Sequence, residues 1–144
     1  MNIDSIQNGY VLDHIKAGRA MEIYRYLKLD ELDCQVAIIM NAKSTKMGRK
    51  DIIKIDSLIE LDMTVLGYVD PGITINVIRD GKLLEKKPLE LPQKIVNVIH
   101  CKNPRCITMA EPQLDSIFLL SRKPDGKRAY RCAYCEAEYK HHKH

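Results

Sequence analysis

The chain has 144 residues, is 45% apolar and 29% charged, and contains no Trp and a single Phe. That composition excludes a disordered or low-complexity chain and requires an aliphatic core, in one domain or two small ones. The formal charge of +4 is uneven, with 13 Lys/Arg against 14 Asp/Glu in residues 1–92 and 10 against 5 in residues 93–144. No apolar run approaches the roughly 18 residues of a membrane span, and no apolar N-terminal stretch with a cleavage site is seen. The expectation is a cytoplasmic protein in a reducing compartment, with no membrane partner.

Residues 7–15 (QNGYVLDHI) alternate Tyr10, Leu12 and His14 against Val11, Asp13 and Ile15, which predicts a strand. Ala17, Ala20, Met21, Tyr24 and Leu27 share one helical face, so the spacing predicts a helix over 17–28. Residues 34–41 (CQVAIIMN) form a β-rich apolar run, read as a central strand with Cys34 as a small core residue. Residues 42–50 (AKSTKMGRK) read as a basic loop, and 51–55 (DIIKI) as a strand. Along the latter, Lys50, Ile52 and Lys54 share one face while Asp51, Ile53 and Ile55 share the other. Lys50 and Lys54 then lie about 13 Å apart, at about 3.3 Å per residue. Two lysines on one face meet either solvent, the simpler reading, or an anion.

Residues 60–68 fit a helix through Leu61, Val65 and Tyr68, weakened by Thr64 and Gly67. Asp70-Pro71-Gly72 is a turn, 73–79 (ITINVIR) a strand, and Asp80-Gly81 a hairpin turn leading into a strand over 82–86. The order is β-α-β-β-α-β, ferredoxin-like, with one extra strand. Pro88 to Pro92 is an extended link taken as the boundary between domains 1–92 and 93–144. The fold class is therefore α+β, a ferredoxin-like N-terminal domain followed by a small all-β domain.

Residues 95–100 (IVNVIH) read as a strand leading to C-x4-C, Cys101 and Cys106, which is answered by C-x2-C, Cys132 and Cys135. Between them Ile117–Leu120 and Ala129-Tyr130 flank a Lys123–Gly126 turn as a hairpin, a zinc-ribbon-like arrangement. Two short Cys pairs across a loop suit one tetrahedral Zn²⁺ per chain, and four thiolates leave no open position for catalysis. Two disulfides or an iron site are the other readings. About 50 residues rarely fold on core burial alone, so a metal would carry the folding of this domain. Four thiolates with Zn²⁺ also lower the charge of the basic end.

No phosphate-binding glycine loop, nucleophile elbow or His-Glu metal motif is found, which argues against an enzyme. A different class, a zinc-ribbon nucleic-acid-binding protein, is suggested by Arg122, Lys123, Lys127, Arg128 and Arg131 beside Tyr130 and Tyr134. The His141–His144 end reads as a solvated tail.

Asp13-His14-Ile15, the run Met47-Gly48-Arg49-Lys50-Asp51-Ile52-Ile53-Lys54-Ile55, the Leu91-Pro92 link and the four-Cys spacing resemble the regulatory chain of aspartate carbamoyltransferase. The resemblance runs from about Ile3 to Tyr139. It implies a non-catalytic subunit of pyrimidine biosynthesis whose N-terminal domain binds CTP or ATP and whose zinc domain grips the catalytic chain. It further implies pairing of regulatory chains as a dimer, and no nucleic-acid partner. By position, Ile3, Asp4, Ser5, Ile6, Val11 and Asp13 would meet base and ribose. His14, Lys50, Lys54 and Lys86 would meet the triphosphate, with Asn76, Ile78 and Leu83 lining the rest. Asn103 and Glu136 match residues the family turns toward the catalytic chain, whereas Arg105 replaces an asparagine there. Gly81 stands where the family's best-known form has a tyrosine near the base.

Overall fold

The computed structural model describes residues 6–140 and divides into two compact units, Met1–Leu91 and Pro92–His144. The first contains β1 (Gly9–Lys16), α1 (Ala20–Tyr26), β2 (Val36–Ser44), β3 (Gly48–Ile55), α2 (Met63–Val69), β4 (Thr74–Arg79) and β5 (Lys82–Pro88). Its strands form one antiparallel sheet in the order β2-β3-β1-β4-β5. The first four strands therefore have the ferredoxin-like arrangement, and β5 is the additional strand, added beside β4.

Strand alternation separates the two faces of this sheet. Leu12 is opposite both Ile53 and Ile75, and all three are fully buried. Ile55 and Val77 flank Tyr10 in the next row and are also buried. Ala20 and Ile23 of α1, and Val65 to Val69 of α2, add the helical side of this core. Each fully buried Ile or Leu contributes about 1.5–3 kcal/mol of burial. Asp62 caps α2, its carboxylate accepting from the Val65 N–H at 3.1 Å, and this resolves the ambiguous 60–68 stretch as a helix.

Several expectations change. The helix predicted over 17–28 is shorter, because Gly18 (φ 96°) precedes it and Lys28 (φ 53°) turns left-handed after it. The expected central strand at 34–41 lies at the sheet edge, and its half-covered residues carry an apolar run that period alone cannot tell from a central strand. Cys34 precedes that strand in a bend and is only half-buried. Most of the expected basic loop 42–50 is strand. β2 and β3 extend to Ser44 and Gly48, where one face is exposed, the other is only half-buried, and no apolar signal marks the pairing. Gly48 takes φ 79° and the Ser44 hydroxyl accepts from the Met47 N–H, closing the hairpin. Asp80 (φ 53°) and Gly81 (φ 75°) both take positive φ, as a two-residue type I′ turn requires.

The second unit has a three-stranded antiparallel sheet of β6 (Lys94–Val96), β7 (Ile117–Arg122) and β8 (Arg128–Cys132). Its buried side chains include Ile95, Ile99, Phe118, Ala129, Tyr130 and Cys132, with Tyr139 edge-on to Phe118 at 5.8 Å. The strand expected over 95–100 stops at Val96, since Asn97 is left-handed (φ 58°) and its carboxamide holds the Ser116 N–H instead. One helical turn, α3 (Ile107–Ala110), follows Cys106 in this otherwise β unit.

Candidate nucleotide site and metal centre

The sheet face opposite the helices is where the expected anion-binding residues fall. Lys54 is opposite Val11, Val11 opposite Asn76, and Asn76 opposite Lys86. Directly opposed residues in an antiparallel sheet point to the same side. Residues from four strands thus form one continuous row, with a lysine at each end. The Asn76 amide donates to the Val11 carbonyl at 3.3 Å. Ile78 is on the same face, paired with Leu83, which is 52% exposed. Here an apolar contact surface adjoins two cations.

At the other end of the row β1 carries a bulge between Leu12 and Ile15. Asp13 and His14 occupy it, and His14 is held at φ 60°, a strained conformation for a residue with a Cβ. The Asp13 carboxylate accepts from the His14 N–H at 2.7 Å and from the Lys50 ammonium at 2.9 Å. Burial works to raise the Asp13 carboxyl, but these two donors outweigh it and hold it below the usual carboxylate range. The His14 ring places Nδ1 3.3 Å from the Thr74 hydroxyl. Ile6 is buried, and the Gly81 N–H donates to the Gln7 carbonyl, so the segment entering β1 runs beside the β4–β5 turn. Ile3, Asp4 and Ser5 lie outside the described residues.

Two residues of this region escaped the sequence reading. Thr74 holds His14. Asp51, fully buried, accepts from the N–H groups of Gly18, Ala20 and Asn41 at 3.0–3.2 Å, pinning the start of α1 and the β2 irregularity behind Lys50. Its signal was available: a carboxylate on the apolar face of β3 must be satisfied by nearby donors.

In the second unit, Cys101, Cys106, Cys132 and Cys135 bring their sulfurs within 4.8 Å of one another. Cys101 and Cys135 approach to 3.6 Å, and Cys106 and Cys132 to 3.7 Å. A disulfide requires about 2.05 Å. Zn–S bonds of about 2.3 Å at tetrahedral angles require sulfurs about 3.8 Å apart, so the donor set and its spacing fit one zinc ion. Local backbone makes both knuckles. The Cys106 N–H returns to the Asn103 carbonyl, and the Glu136 N–H to the Cys132 carbonyl, with Glu136 at φ 65°.

Without metal the four thiols are unequal. Burial pushes Cys101 up to about 12 and also raises Cys132. The Thr108 hydroxyl, 3.1 Å from the Cys106 sulfur, lowers Cys106. Burial opposes ionisation of Cys135, but hydrogen bonds from the Ala137 backbone, the Asn103 side chain and Cys101 bring it down to about 7. Each knuckle thus pairs a thiol whose ionisation its hydrogen bonds favour, Cys106 or Cys135, with one whose ionisation burial opposes, Cys101 or Cys132. Asn103 serves the thiol cluster, while Arg105 and Glu136 are exposed beside it.

Comparison with known families follows the same two-part division. The model for the aspartate carbamoyltransferase regulatory chain, allosteric domain, matches residues 1–90, and that for the metal binding domain matches residues 93–144. A relative from Clostridium botulinum, named aspartate carbamoyltransferase regulatory chain, is 52% identical over 96% of this chain and 94% of its own length. Relatives of the same name from Clostridium acetobutylicum and Bifidobacterium longum are 48% and 46% identical over 97% of this chain, covering 94% and 99% of their own lengths. The chain belongs to the family of aspartate carbamoyltransferase regulatory chains, non-catalytic subunits with an allosteric domain and a metal-binding domain.

Proposed function

We propose that residues 1–92 bind CTP or ATP on the outer face of the five-stranded sheet, and that residues 93–144 hold one zinc ion through Cys101, Cys106, Cys132 and Cys135 and attach the catalytic chain. The observation that carries the nucleotide reading is the Lys54–Val11–Asn76–Lys86 row, extended by Asp13, His14 and Lys50. A triphosphate carries roughly four negative charges, and lysines act on it as point charges. Val11, Ile78 and Leu83 offer apolar surface to base and ribose; the resemblance adds Ile3, Asp4, Ser5 and Ile6 by position in the sequence alone. The open edge of β2, apolar from Val36 to Met40, supports pairing with a second regulatory chain, because an unpaired edge is a template for another strand.

The mechanism is linkage. A nucleotide that favours one quaternary state shifts the assembly toward it, by no more than its differential affinity for the two states. The zinc domain transmits this as a rigid adaptor in pyrimidine biosynthesis, in the cytoplasm, without nucleic acid. Lys123, one of the basic residues that suggest nucleic acid, is paired with Glu138 at 2.7 Å.

Calorimetric titration of the zinc-loaded chain with CTP, ATP and a short oligonucleotide tests the reading. Micromolar-to-millimolar nucleotide binding, lost in Lys54→Ala and Lys86→Ala, is expected. Salt-sensitive oligonucleotide binding with no response to free nucleotides would transfer the protein to the zinc-ribbon nucleic-acid class.

A further inference from the structure

Among the described residues, Thr108 and Asn103 bring side-chain donors other than cysteine to the sulfur cluster. The Thr108 hydroxyl donates to the Cys106 sulfur at 3.1 Å. Local structure puts it there. Cys106 precedes α3, and the Met109 N–H closes that turn on the Cys106 carbonyl at 3.0 Å. Within the turn Ile107, Met109 and Ala110 are exposed, whereas Thr108 is half-buried with its hydroxyl against the sulfur two residues back. Asn103 serves the other knuckle. Its carboxamide oxygen accepts from the Arg105 N–H at 3.1 Å, which turns the amide nitrogen toward Cys135. Cys101 and Cys132 receive hydrogen bonds from backbone and from the other cysteines instead.

We infer that Thr108 is a positioning residue of the metal centre, its hydroxyl fixing the Cys106 thiolate and drawing off part of its charge. This rests on the zinc reading above and adds a residue that reading does not use. Four thiolates exceed the charge of one zinc ion, and Cys106 is only 2% exposed, so water has little access to supply the missing donor. A hydroxyl donating to an anionic sulfur is charge-assisted. Outer partners of this kind orient a metal ligand and tune its hold on the ion. Asn103 is the corresponding donor for Cys135, but it also matches a residue the family turns toward the catalytic chain. Thr108 therefore isolates the effect on the metal.

The test compares the full chain with Thr108→Val and Thr108→Ser, each loaded with zinc and, separately, with cobalt(II). Zinc affinity is read by competition with a chromogenic chelator, and the sulfur-to-cobalt charge-transfer bands by absorption. Valine keeps the shape of threonine without its hydroxyl. Thr108→Val is expected to weaken zinc binding roughly tenfold or more and to move the charge-transfer bands to lower energy, because a thiolate without its donor gives up electron density more readily. Thr108→Ser keeps the hydroxyl and should match the wild type in both readouts. Zinc affinity and cobalt bands equal in wild type and Thr108→Val overturn the inference and leave the zinc reading intact. Weaker binding in both variants with unmoved bands also overturns it, since the side chain would then serve packing alone. A wild-type chain without sulfur-to-cobalt bands overturns the zinc reading and the inference together.

Discussion

The two units of this chain meet the same difficulty, smallness, in different ways. The first surrounds its sheet with aliphatic burial: Leu12, Ile15, Ile23, Ile53, Ile55, Leu66 and Ile75 are all 0% exposed. The second has Ile95 and Phe118 at 1% exposure, few other apolar side chains, and four cysteines drawn together. A unit of that size is marginal on core burial alone, and the four-cysteine cluster is where a bound metal would add to its stability. The difference assigns stability to separate chemistries within one polypeptide. The first unit should answer to core mutations and ignore chelators, and the second should do the reverse.

Metal removal breaks this comparison most strongly. Structural zinc contributes on the order of 10–16 kcal/mol to small metal domains. Chelation, or Cys132→Ser, is expected to unfold the second unit, leave the first folded, and release the catalytic chain with that chain's own activity intact. Two-dimensional NMR would show the split directly; collapse of the first unit's signals together with the second's would refute it. A smaller effect of opposite address is expected from Ile53→Ala. The cavity costs about 2–5 kcal/mol and lowers the first unit's melting temperature, with zinc content unchanged. Loss of zinc in that variant would show that the two units are not separate.

The third effect sharpens the picture of the second unit. Burial pushes the Tyr130 hydroxyl up to about 12 from its ordinary 10.0, and it donates to the Pro92 carbonyl at 2.7 Å. The folded state holds this proton more tightly than the unfolded one. The associated stability is therefore complete below about pH 10 and is lost as pH rises toward 12. Tyr130→Phe should cost about 1 kcal/mol at neutral pH and remove that part of the alkaline decline. Identical alkaline unfolding of wild type and Tyr130→Phe, followed by near-ultraviolet circular dichroism, would count against the assignment.

Much of this was legible before any coordinates. Cysteine spacing alone named all four candidate ligands, because each knuckle is a local turn and only the meeting of two knuckles is long-range. The period of two along β3 separated Lys50 and Lys54 from Ile53 and Ile55. Other features were not legible. The polar arm at 42–50 gave no strand signal because one of its faces meets water and the other is only half-buried beneath polar residues. β2 was misplaced as central because its apolar run resembles one flanked on both edges.

The sequence by itself determined the order of strands and helices in the first unit, the α+β class and the family, since each is written in neighbouring residues or in a distinctive run. Tertiary structure decided what depends on register. It set Lys54, Val11, Asn76 and Lys86 in one row although Val11 and Asn76 are far apart in the chain, and it put Lys16 across from Lys50. It also turned Asp51 into a buried anchor for three backbone N–H groups. Strand alternation fixes which side a residue faces, but only the pairing of strands, chosen by burial of the opposite face, fixes which residue stands beside it.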